Sequence, residues 1–366
     1  MKVVAAIDSF KGSMTSMEAG NAVKKGILAA KPDAEVWLSP LADGGEGTVD
    51  ALIEGLGAEK ISVTVTGPLG EKMLCYYGFL EETKMAVMEM ASAAGITLVI
   101  KKAPLRASTY GVGEMIADAL KRGCKNFMIG IGGSATNDGG IGMLKALGFE
   151  FFDEDGNDVG EGAAALAKIT EIRTENKNPL LSGAKFQIAC DVKNPLCGKQ
   201  GATYIFGPQK GVTEEQKEQV DEAMRHYADV TKESLNCDFA DCEGAGAAGG
   251  LGYAFLSYLA GELIPGVELI LQATGLEEKM KNADVVVTGE GRLDAQTVMG
   301  KAPAGVAALA KKYNAKVIAF AGSVAPEAKV CNRAGIDAFF PIVRGVTTLE
   351  EAMKKEMNEK NVDLFF

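Results

Sequence analysis

The chain has 366 residues, of which 47% are hydrophobic and 24% charged. That is ordinary for a soluble globular protein, and the length exceeds what one hydrophobic core usually fills, so two domains are expected. The formal net charge of −11 argues against a nucleic-acid or anionic-membrane partner, since either needs clustered Lys and Arg, and no run of apolar residues is long enough to span a bilayer.

The first elements alternate strand and helix. Val3 to Ile7 is a continuous apolar run, as in a parallel strand buried on both faces, and it ends in Asp8-Ser-Phe-Lys-Gly12. A helix follows, capped by Thr15 or Ser16 and facing inward with Met17, Ala19, Val23, Ile27 and Leu28. Glu35 to Leu38 is the second strand. After Ala42-Asp-Gly-Gly-Glu-Gly47 come a helix from Thr48 to Leu56 and a third strand from Ile61 to Val65, completing a βαβαβ unit with a parallel sheet. The character changes after Gly67-Pro-Leu-Gly70: Leu74 to Leu80 and Met85 to Met90, joined by a short polar link, predict an antiparallel pair.

The middle of the chain carries a helix over Val112 to Lys121 and a strand ending near Ile131. It continues with a strand over Phe186 to Cys190 leading into Asp191, an amphipathic helix over Glu214 to Leu235, and a helix over Leu251 to Leu259. The alternating pattern returns with a strand over Asp284 to Thr288 that ends in Gly289-Glu-Gly-Arg-Leu-Asp294. A helix over Pro303 to Tyr313 and strands over Lys316 to Ala321 and Ala338 to Ile342 follow. The expected fold class is α/β: a parallel Rossmann-like sheet domain made of residues 1–66 and 263–366, with a second α/β domain, residues 67–262, inserted between the two segments.

The richest stretch is Ile129-Gly-Ile-Gly-Gly-Ser-Ala-Thr-Asn-Asp-Gly-Gly140, which joins a buried strand to a helix whose apolar residues resume at Ile141, Met143, Leu144 and Leu147. Its glycines permit close backbone approach to an anion, and a helix N-terminus adds its dipole and unpaired donors. Ser134, Thr136 and Asn137 supply neutral donors, and Asp138 a carboxylate for a cation or a proton. Asp8, Asp43, Asp191 and Glu290 likewise follow apolar strands. In open α/β sheets ligands bind beyond the carboxyl ends of strands, so these groups are expected to converge on a crevice, here between the two domains. Several carboxylates with Lys11 and Arg292 fit phosphoryl transfer, in which cations meet phosphate oxygens and acids hold Mg²⁺ or take a hydroxyl proton.

Other chemistries are excluded or set aside. Gly300-Lys301 is followed by Ala302 and has no glycine five positions earlier, so there is no P-loop. Ser134 lacks the last glycine of a nucleophile elbow and has no histidine to activate it. The single histidine, His226, falls opposite the apolar stripe of its helix and is expected on a solvated face. Gly244-Ala-Gly-Ala-Ala-Gly249 matches a dinucleotide fingerprint but follows no apolar strand, which weighs against the alternative of an NAD-dependent oxidoreductase of a small hydroxy acid. A non-catalytic sensor of a small carboxylate is the other alternative. The 7 cysteines are an odd set without a C-x-x-C pair; with a first strand that begins at once and no leader pattern, they point to reduced thiols and a cytoplasmic protein.

Six segments, Asp8 to Gly12, Ala42 to Gly47, Gly132 to Gly140, Gly207-Pro-Gln-Lys-Gly211, Gly246 to Gly252, and Gly289 to Thr297, resemble in order the signature blocks of the bacterial glycerate kinase type-1 family. The resemblance implies ATP-dependent phosphorylation of D-glycerate with Mg²⁺, the 2- or 3-hydroxyl being undetermined. On the chemistry of the side chains, the catalytic candidates are Lys11, Asp191, Asp43 and Asp294. Candidates for substrate or phosphate binding are Ser9, Gly132, Gly133, Ser134, Thr136, Asn137, Gly289, Glu290 and Arg292, and those for metal are Asp138 and Asp191. The expected partners are ATP and D-glycerate, with a homo-oligomer left open.

Overall fold

The computed structural model describes residues 1–10, 12–41, 48–343, 345 and 347–354. In chain order the strands are β1 (Lys2–Ile7), β2 (Glu35–Leu38), β3 (Glu59–Thr66), β4 (Lys72–Leu80), β5 (Met85–Glu89), β6 (Asn126–Gly130) and β7 (Glu150–Phe152). They continue with β8 (Glu171–Arg173), β9 (Lys185–Ala189), β10 (Glu262–Ile264), β11 (Val285–Leu293), β12 (Lys316–Val324) and β13 (Ala338–Pro341). Among the described residues one compact unit takes in residues up to 41, Asp50–Ala58 and the chain from Pro265 on, and the other is built on Glu59–Ile264.

The first unit holds the five-stranded sheet β13-β12-β11-β1-β2, parallel throughout. Its strands are the continuous apolar runs seen in the sequence, and Val3, Val4, Ala5, Ala6, Val286 and Val287 are all buried, as a sheet covered on both faces requires. The helix Ser16–Ala30 starts at Thr15 with a capping box: Thr15 Oγ1 accepts from the Glu18 N–H, and the Glu18 carboxylate accepts from the Thr15 N–H. Ser16, the other expected cap, instead donates to the Ile7 carbonyl at 2.6 Å and accepts from the Leu41 N–H at 2.9 Å, fixing the chain at the end of β1.

The second unit holds the mixed sheet β10-β9-β6-β5-β4-β3 and a separate β7-β8 pair. β4 and β5 are antiparallel, as their short link requires, while β5, β6, β9 and β10 run parallel. Its core packs Phe127, Phe186, Tyr227 and Phe255 among aliphatic side chains, and Phe127 stacks on Phe186 with ring centroids 4.8 Å apart.

Two expectations need correction here. The third strand of the supposed βαβαβ unit, β3, pairs antiparallel with β4 from Glu59↔Phe79 to Thr66↔Lys72, so β3 belongs to the second unit, whose long stretch runs Glu59–Ile264. Its alternating exposed and buried residues mark a strand with one covered face, unlike the doubly buried run of β1. β11 also runs on through Leu293, with Glu290 opposite Ala321 and Arg292 opposite Ser323; what reads as a loop is strand. Gly289 lies within it, where a Cβ would collide with the Phe320 carbonyl, which gives that glycine a packing role.

Candidate active site

In the first unit, β1 leads outward to β2 on one side while β11 leads to β12 and β13 on the other. The strand order therefore reverses between β1 and β11, and such a switch point leaves a crevice beyond the carboxyl ends. A cavity of about 730 Å³ opens there, lined among others by Asp8, Ser9, Glu290, Arg292, Lys301 and Ser323. Asp8 is buried, and its Oδ1 accepts from the Ser9 N–H at 2.7 Å. Glu290, 6% exposed, accepts from Thr297 Oγ1 at 2.6 Å and has Lys301 Nζ 3.3 Å from its other oxygen. Burial pushes this carboxyl above its usual range, and Thr297 and Lys301 pull against it. Arg292 is exposed, its Nε 3.5 Å from Asp294. Asp294 Oδ1 accepts from the Gln296 N–H at 2.8 Å, and the Asp294 N–H donates to Thr297 Oγ1 at 3.1 Å, the bonding of a turn former.

In the second unit the loop after β6 is organised around buried polar groups. Asp138, 0% exposed, accepts from the N–H and the hydroxyl of Thr109, both at 2.8 Å, and from the Gly140 N–H at 3.2 Å. Thr109 Oγ1 in turn accepts from the Met143 N–H at 2.9 Å. The donors at the start of the helix Ile141–Ala146 are thus used inside the protein, so the spare helix N-terminal donors expected from the sequence do not exist. Asp138 is placed as a cap: burial pushes its carboxyl up, and the hydrogen bonds from Thr109 and Gly140 oppose that. Its oxygens face protein donors and no part of it reaches the surface, a poor fit to a ligand for an arriving cation. Among the described residues no group of three or more His, Cys, Asp or Glu side chains could hold a metal.

The helix Ala202–Lys210 grips the same loop at both of its ends. Asn137 Nδ2 donates to Thr203 Oγ1 at 3.0 Å. Two turns later, on the same face, Lys210 Nζ donates to Ser134 Oγ at 2.6 Å and to the Thr136 carbonyl at 2.7 Å. The helix ends just there, because Gly211 takes the left-handed φ of 103° and the Val212 N–H returns to the Gly207 carbonyl. Lys210 is 2% exposed; burial pulls its pKa down to about 7, and the charge of Asp138 pulls the other way. Lys210 carries no signal of this role in the sequence, although it sits in the segment Gly207–Gly211, because a lysine at a helix end is ordinarily solvated.

The glycine segment 244–252 packs against this loop backbone to backbone. The Gly139 N–H donates to the Gly249 carbonyl at 2.9 Å, and a Cβ on Gly249 would collide with the Thr136 carbonyl. No strand precedes Gly244, so these glycines serve packing and the dinucleotide alternative has no structural support.

Of the remaining candidates, Gly132 and Gly133 are exposed at the loop tip while Ser134, Thr136 and Asn137 are buried. Asp191 stands exposed just past the carboxyl end of β9. Lys11 and Asp43, with the whole segment 42–47, lie outside the described residues. His226 is half-buried with Nε2 2.7 Å from the Ile169 carbonyl, correcting the expected solvated position. All 7 cysteines are free thiols, and no helix among the described residues is long and apolar enough to cross a membrane.

A parallel sheet with a charged cavity at its switch point places the chain among α/β proteins that bind small molecules beyond the carboxyl ends of their strands. Comparison with known proteins gives the family. The model of the glycerate kinase family matches residues 3–362. A glycerate kinase from Halalkalibacterium halodurans is 46% identical over 355 residues, covering 96% of this chain and 93% of its own length. A glycerate 2-kinase from Escherichia coli is 45% identical over 356 residues, 97% of this chain and 93% of its own. A crystal structure provisionally named glycerate kinase 2, from Salmonella typhimurium LT2, superposes with a TM-score of 0.92 at 42% identity, over 100% of this chain and 96% of that one. The chain belongs to the glycerate kinase family and is a phosphotransferase.

Proposed function

We propose that the enzyme transfers the terminal phosphoryl group of ATP to the 2-hydroxyl of D-glycerate. The observation that carries this reading is the end-to-end similarity to kinases of glycerate, one of which is named for the 2-position. The hydroxyl oxygen of the acid forms a bond to the terminal phosphorus, the bond from that phosphorus to the bridging oxygen breaks, and ADP departs with the electron pair. Magnesium enters as part of the nucleotide substrate, since Mg²⁺ keeps phosphate and water ligands and needs only one or two carboxylates from a protein.

The cavity of the first unit suits the nucleotide. Its volume of about 730 Å³ is within the range of small-molecule sites, and Lys301, Arg292, Ser9 and Ser323 offer cationic and hydroxyl donors to phosphate oxygens. Asp191 is the candidate acceptor of the hydroxyl proton, being a solvent-reached carboxylate at a strand's carboxyl end, whereas Asp138 is committed to capping.

Phosphorus NMR of the product tests the reaction. A 2-phosphate couples to one methine proton and gives a doublet; a triplet from a methylene neighbour means transfer to the 3-hydroxyl, and D-glycerate bound without release of ADP means a sensor. Asp191→Asn should lower kcat by about two orders of magnitude if the carboxylate takes the proton, and an unchanged kcat removes it from that role.

A further inference from the structure

The Ser134 hydroxyl has one hydrogen and two lone pairs, and Lys210 in its ammonium form has donors only. The 2.6 Å contact between them therefore occupies a lone pair of Ser134 and leaves the hydroxyl hydrogen to be given elsewhere. Among the described residues Ser134 Oγ makes no other hydrogen bond. Close by, Thr136 Oγ1 and Asn137 Oδ1 are fully buried and have no partner, a cost that a protein interior seldom tolerates without use. Rigidity alone does not explain the lysine, since Asn137 and Thr203 already tie the loop to the helix through neutral groups, and burying an ammonium that touches no carboxylate is expensive. Gly132 and Gly133, next to Ser134, are open to solvent.

We propose that Lys210 is a positioning residue that orients and polarises the Ser134 hydroxyl as a donor to an oxyanion of a substrate at the Gly132–Ser134 tip. The lysine itself does not touch the ligand. The oxyanion is either the carboxylate of the acid or a phosphate of the nucleotide. This rests on the reading of the chain as an ATP-dependent glycerate kinase.

The test is a double-mutant cycle on the full chain with Ser134→Ala, Lys210→Met and the pair. KM is measured for D-glycerate and for ATP, and Kd for each by calorimetry, after circular dichroism confirms folding. At pH 6, where Lys210 carries its proton, each single change should weaken one of the two substrates about tenfold, as loss of a charge-assisted donor implies, and the pair should be no worse than either alone, because both break one chain of contacts. Weakened D-glycerate identifies the carboxylate; weakened ATP identifies the phosphate. Effects that multiply in the double variant would overturn the proposal, as would a Ser134→Ala enzyme with both substrates unaffected. If Lys210→Met does not fold, Lys210→Gln, which keeps a neutral donor, takes its place and should fall between wild type and Ser134→Ala. A wild type that binds substrate but forms no product defeats the kinase reading, while the Kd cycle still decides this one.

Discussion

Two lysines show what burial does to the same side chain. Lys301, in the cavity of the first unit, keeps about a third of its side chain exposed (35%) and pairs with a carboxylate, Glu290. Lys210, in the second unit, is buried and among the described residues touches only a hydroxyl and a carbonyl. The first arrangement is an ordinary ion pair whose cation stays close to solvent, ready to exchange partners with an arriving anion. In the second the lysine can only act through what it holds. The acids differ in the same way: Glu290 lines a cavity, while Asp138 is sealed among backbone donors.

The largest effect is expected where the burial is complete. Asp138→Asn turns an amide toward donors that a carboxylate now accepts, so equilibrium unfolding should show a loss of about 4 kcal/mol, hydrogen bonds to a charged group being worth about 1.5–3 kcal/mol each. A loss below 1 kcal/mol (about the worth of one neutral hydrogen bond) would make Asp138 an ordinary loop residue and remove the contrast with Glu290.

Lys210 has its folded pKa lowered to about 7 from the ordinary lysine value, so above pH 7 the unfolded chain binds more protons than the folded one at this position, and stability rises with pH until the unfolded lysine also titrates. Relative to Lys210→Met, the wild type should gain about 2 kcal/mol between pH 7 and 9. Parallel stability curves would mean that Lys210 stays charged across that range.

The smallest effect belongs to the half-open pair. Lys301→Met leaves Glu290 with Thr297 as its one partner of the two, and should cost about 1 kcal/mol at pH 7. The sign with pH is opposite to that of Lys210. Glu290 has its folded pKa raised, so the folded chain binds the extra proton, and the cost in the variant should shrink as pH falls and the carboxyl is neutralised. Thermal melts at pH 7 and pH 5 check this, and a cost that grows toward pH 5 would break the assignment.

Much of this molecule follows from local pattern. Val3 to Ile7, Glu214 to Leu235 and Leu251 to Leu259 announce their elements because apolar periodicity is written into consecutive residues. Thr15 or Ser16 marks a helix start, though only the structure chooses Thr15 as the cap, and the ordered glycine blocks announce the family. What the sequence could not decide is what depends on residues far away in the chain. β3 has the composition of any strand, and only its pairing with β4 assigns it to the second unit. Asp138 and Asp191 are both acids after apolar strands, yet one is enclosed by Thr109 from another segment while the other stays exposed. Lys210 lies 76 positions from Ser134, and its burial, which sets its pKa and its only partners, exists once the helix Ala202–Lys210 has docked on the loop. Secondary structure is a property of neighbours in sequence, whereas desolvation and hydrogen-bond partnership are properties of neighbours in space, and the chemistry of this site depends on the latter.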